Sequence, residues 1–134
     1  MTTLVALLSI IAISAGGTIL ADRIRFRRFW NRGCMGRSWR TSFPKASKDE
    51  IRVFLGLFAR AFMFRRSKRL HFSPGDRVME IYRTRYPLKS WPDSMELETF
   101  ARSVQQRYGV DLSSFWGPEI TLGEVFEKAT RRPA

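Results

Sequence analysis

The residues best placed to do chemistry lie around Ser94. The run Trp91-Pro92-Asp93-Ser94-Met95-Glu96 reads as a helix start: Asp93 can cap it, and Glu96 stands three residues on. Ser94 then falls in the first turn, where its hydroxyl faces solvent. The rest of the chain offers little reactive chemistry. The single cysteine, Cys34, excludes an intrachain disulfide, and with one histidine, His71, there is no Cys/His cluster to hold zinc. Acylation of Cys34 is conceivable, but a plain free thiol is the expectation. No nucleophile–base pair or metal cluster stands out, so the protein is not expected to be an enzyme.

The elements around Ser94 are helical. After it, Leu97, Phe100, Ala101, Val104 and Tyr108 follow at helical spacing and make one apolar face, which Gly109 ends. A short segment, 110–118, leads to Thr121 and Glu124, a capping-box pair. Leu122, Val125, Phe126 and Ala129 form the inward face of a last short helix. Upstream, Ser47 and Glu50 make a similar box before a helix reaching about Phe64. Ile51, Phe54, Leu55, Phe58 and Phe62 line it, as core or as an interfacial face. Ser73-Pro74-Gly75-Asp76 predicts a further start, with Pro at the first helical position and Val78, Met79, Ile81, Tyr82 and Tyr86 along the helix. No strand alternation and no internal repeat is visible, so the fold class is all-α.

This order resembles the acyl carrier protein family, in particular its poorly characterised bacterial carrier-like members. The family's Asp-Ser-Leu signature is matched by Asp93-Ser94-Met95. Phe100, Val104, Tyr108 and Leu112 follow, and Ile120-Thr121 stands for the pair opening the last helix, with the Ser94–Ile120 spacing kept. The resemblance is firm over residues 92–130. It leaves open whether 48–64 or 74–86 supplies the first carrier helix. It implies a 4′-phosphopantetheine arm on Ser94, flanked by Asp93 and Met95, whose thiol carries acyl groups as thioesters. A phosphodiester there would sit at the positive end of a helix dipole. The implied partner is an acyl-transferring or lipid-modifying enzyme, met by Glu96 and Glu98. Trp91 stands where the family usually has glycine, and Arg102 and Arg107 dilute the usual acidity of that helix. The alternative is a scaffold that keeps the fold, lacks the arm and docks partners through Phe115, Trp116 and the Met95 side.

Charge and hydropathy divide the chain further. The net charge is +12. Residues 1–21 carry no charged side chain, and from Pro92 onward seven acids outnumber five bases, so residues 22–91 hold a net +14. Residues 1–21, MTTLVALLSIIAISAGGTILA, predict a transmembrane anchor. A signal peptide fits less well, because the charge follows the apolar stretch. Arg23, Arg25, Arg27, Arg28 and Arg32 then predict a cytoplasmic side facing anionic lipid, with Phe26, Phe29 and Trp30 at the interface. The expected organisation is an anchor over 1–21, a polybasic juxtamembrane linker over 22–47 and a helical acyl-carrier-like domain over 48–134. The location is the inner membrane, single-pass, with the C-terminal domain cytoplasmic. Nucleic acid is not expected as a partner, since no recognised motif accompanies the basic stretch.

Overall fold

The computed structural model describes residues 2–87 and 95–131, without the side chains of residues 2, 11–19 and 22. Among these are seven α-helices: α1 Thr2–Arg25, α2 Arg27–Trp30, α3 Gly36–Ser42, α4 Lys48–Ala61, α5 Val78–Arg85, α6 Met95–Tyr108 and α7 Leu122–Thr130. Two 3₁₀ segments, Arg66–His71 and Leu112–Ser114, complete the set. The described residues hold no strand, only one antiparallel bridge between Arg77 and Thr121. The helical class expected from the sequence therefore stands.

The expected bilayer span does not. Among the described residues no helix is long and apolar enough to cross a membrane. The transmembrane part of the expected fold and the single-pass inner-membrane location are corrected with it.

The segment expected as a linker is folded into the domain. Phe26 and Phe29, expected at a membrane interface, are buried in the core, and Trp30 packs against them. Trp39, on α3, is wholly buried, and its indole Nε1 donates to the Phe72 carbonyl at 2.8 Å. A buried indole N–H needs an acceptor, and this bond pins α3 to the segment before α5. Two arginines of the stretch form ion pairs: Arg28 with Glu80 at 2.7 Å on the surface, and the part-buried Arg32 with Asp76.

The core is mainly aromatic. On α4, Ile51, Phe54, Leu55 and Phe58 are buried, so this face is core and not interfacial. Phe54 and Phe58 meet Phe100 of α6 edge-on, with ring centroids 6.0 and 5.4 Å apart. Phe126 of α7 meets Phe54 and Trp39 in the same way. Such tilted pairs add to the stabilisation from burial alone. The Ser47 box forms as expected: Ser47 Oγ accepts from the Glu50 amide at 3.1 Å, and the Ser47 amide donates to Glu50 Oε2 at 3.2 Å. α4 stops at Ala61, short of the expected Phe64, because Met63 takes a left-handed backbone with φ 61°.

Candidate functional site

α6 is held from behind. Phe100 and Val104 are buried against α4 and α7, and Leu97, Ala101 and Tyr108 pack on the same core. At its other end, Gly109 takes φ 70° and its amide donates to the Gln105 carbonyl at 2.8 Å, closing the helix. The start of α6 is different. Met95 is 80% exposed, and Glu98 and Thr99 are exposed too. Glu96 is half-buried and accepts a hydrogen bond from the Tyr86 hydroxyl. That bond to a carboxylate, together with burial, holds the Tyr86 phenol above its ordinary 10.0.

Asp93 and Ser94 lie outside the described residues. Met95, the first described residue of α6, is exposed, Glu96 is half-buried, and the inward face begins at Leu97. The acids Glu96 and Glu98 sit in the first turn of the helix, where they complement the helix dipole. Of the other expected docking residues, Phe115 and Trp116 are half-buried and rest on the core, with Lys128 Nζ 5.9 Å from the Phe115 ring centre. The structure therefore places Glu96 and Met95 together, and makes Phe115 and Trp116 partly structural. The five expected surface arginines separate. Arg23, Arg25 and Arg27 stay exposed, with Arg25 Nη1 3.2 Å from the Arg85 carbonyl, while Arg28 and Arg32 are spent on ion pairs. Among the described residues no group of His, Cys, Asp and Glu could hold a metal ion.

Sequence reasoning missed the junction between the starts of α5 and α7. α5 begins at Val78, not at Pro74 as the sequence predicts. The residues before it serve another purpose. The Asp76 carboxylate accepts from the Ser73 amide at 2.7 Å and binds Arg32, while the Asp76 carbonyl accepts from the Leu122 amide at 2.9 Å. In return the Val78 amide donates to the Ile120 carbonyl at 3.1 Å, and the Gly123 amide to Pro74 at 2.9 Å. A Cβ on Gly123 would meet the Pro74 carbonyl oxygen at 2.9 Å, so this approach requires glycine. The signal was present in Asp76 and in the glycine after Ile120-Thr121-Leu122, but a glycine inside a helix pattern does not say what approaches it.

The described residues thus define a small, basic, helical domain with an aromatic core. No family model, no curated protein and no solved structure matches the chain.

Proposed function

We propose that this chain is a non-enzymatic carrier-type protein bearing a 4′-phosphopantetheine arm on Ser94. The observation that supports the reading is the contrast within α6, whose body is clamped to α4 and α7 while Met95, its first described residue, is 80% exposed. A tethered group needs both: a rigid base and a free exit. When bound, the arm supplies a terminal thiol that holds acyl groups as thioesters. The chain's own part is to present the arm and to offer Glu96 and Glu98 to an acyl-transferring or lipid-modifying partner. The Tyr86 bond orients Glu96, and Glu98 is left free to pair with a basic partner surface.

The test is intact-mass analysis of the full chain after coexpression with a phosphopantetheinyl transferase. A gain of one arm, absent from Ser94→Ala, is the expected result. An unchanged mass, or the same gain in Ser94→Ala, rejects the reading. A second reading, a scaffold of the same architecture without the arm, rests on the 80% exposure of Met95 beside the partly exposed Phe115 and Trp116. A partner retained by the unmodified chain and lost from Met95→Ala or Trp116→Ala would favour it.

A further inference from the structure

We infer that a second site lies away from α6: a cleft of about 510 Å³ that binds a phosphomonoester attached to an apolar or aromatic group. The end of α1 and α2 form one side of it, and residues 63–68 form the other. Arg85 reaches in from the end of α5. This inference does not rest on the carrier reading.

The argument begins with charge. Arg23, Arg27, Arg65, Lys68 and Arg85 line the cleft, and among the described residues no carboxylate does. Four arginines outside the cleft are matched with acids: Arg28 with Glu80, Arg32 with Asp76, Arg77 with Glu119 and Arg131 with Glu127. Among the described residues none of the five cleft cations has such a partner. Gathering five like charges around one concavity raises the energy of the empty site, and an anion lowers it.

The second observation is how the cations are held. Arg85 is fixed by a 2.6 Å bond from Nη1 to the Phe62 carbonyl, and its guanidinium carbon lies 4.6 Å from the Phe64 ring centre and 5.7 Å from that of Phe26. Its Nε is buried and has no acceptor among the described residues. Lys68 Nζ stands 5.3 Å from the centre of the Trp30 ring, which meets Phe64 edge-on. Arg85 and Lys68 are thus seated on aromatic walls, and Arg85 keeps an unmet donor, which prepares them for a ligand with several acceptor oxygens. A phosphomonoester brings three such oxygens and close to two charges at neutral pH. The Trp30 and Phe64 rings suit an apolar or aromatic portion beside it, and the volume falls within the range of small-molecule sites. Such a phosphate could come from a soluble metabolite or from a lipid headgroup.

The test uses phenyl phosphate as probe and phenyl sulfate as a singly charged control of similar shape, titrated calorimetrically into the full chain at fixed ionic strength. Phenyl phosphate should bind more tightly as pH rises from about 5.5 to 7.5, as its second proton leaves, and phenyl sulfate should not follow. Arg65→Glu and Lys68→Glu should each weaken phenyl phosphate at least about tenfold. Arg83→Glu, an exposed charge change outside the cleft, should not; Arg27→Glu replaces any cleft variant that fails to fold. Vesicles of phosphatidylcholine with and without phosphatidic acid separate the sources. Acid-dependent binding displaced by phenyl phosphate and lost in Arg65→Glu assigns a lipid headgroup, and indifference to phosphatidic acid assigns a soluble ligand. Equal binding of phenyl sulfate, equal weakening by Arg83→Glu, or no binding of phenyl phosphate overturns the site. So does an oligonucleotide that binds but is not displaced by phenyl phosphate, since it would report a diffuse basic surface.

Discussion

Two kinds of helix start coexist in this protein. Those of α5 and α7 face each other and exchange backbone hydrogen bonds, from Val78 to Ile120, Leu122 to Asp76 and Gly123 to Pro74. The start of α6 points outward at Met95. Every helix begins with amides that lack partners inside the helix. At α5 and α7 the preceding segment of the other helix satisfies part of that demand, so those ends are structural and closed. On α6 the first described residue, Met95, is left to solvent, while Glu96 and Leu97 beside it are half-buried. The difference teaches where to look for function: a helix start whose amides are consumed by the fold has nothing left to offer a ligand.

The comparison can be broken from the structural side first. Asp76→Ala removes the acceptor for Ser73 and leaves Arg32 as an unpaired, mostly buried charge, with side-chain exposure of 28% for Arg32 and 12% for Asp76 in the native pair. The expected loss is about 3 kcal/mol, the low end for a broken buried pair because Arg32 keeps some water. Denaturant unfolding measures it, and a loss no larger than that of a surface substitution would contradict a closed junction. Gly123→Ala comes next. Its new methyl meets the Pro74 backbone at 2.9 Å, so the α5 and α7 starts must separate. A loss of about 2 kcal/mol is expected, seen as a lower thermal midpoint and faster amide exchange at Val78 and Leu122.

A smaller effect sharpens the α6 side. The Tyr86 phenol lies above 10.0 chiefly because its hydroxyl donates to Glu96, and burial holds Tyr108 above the same value. A folded-state value above the unfolded one contributes stability fully present below pH 10, and that contribution is lost as pH rises through the raised value. Stability should therefore fall above about pH 10. Tyr86→Phe should make that fall shallower and leave the part due to Tyr108. A variant whose curve runs parallel to that of the parent protein would detach Tyr86 from Glu96. The smallest effect is expected at Met95→Ala, within about 0.5 kcal/mol by thermal melting, because an 80% exposed side chain has little to lose. A loss as large as that of Gly123→Ala would show that the α6 start is as structural as the other two.

Much of the helical pattern was legible from local chemistry. Ser47 and Glu50 form the box their spacing predicts, and Thr121 Oγ1 accepts from the Glu124 amide at 3.1 Å. Phe100 and Val104 point inward as the apolar face of α6 requires, and Leu122, Val125, Phe126 and Ala129 do the same on α7. Such signals involve residues three or four apart, which a helix brings together whatever surrounds it. The site was legible only in part. The sequence marked the start of α6, but Asp93 and Ser94 lie outside the described residues, and the half-burial of Phe115 and Trp116 depends on what packs beneath them.

What the sequence determined by itself, then, was the helical class, most of the caps and the inward faces of α4, α6 and α7. The tertiary structure alone decided the rest. It took Phe26, Phe29 and Trp39 out of an expected linker and into the core, tied Arg32 to Asp76 across 44 residues, and gathered Arg27, Lys68 and Arg85 around one cleft. The physical reason is range. A cap or an apolar stripe is fixed by neighbours along one helix, whereas a buried aromatic or a long-range ion pair is defined by a partner whose position the local pattern does not carry.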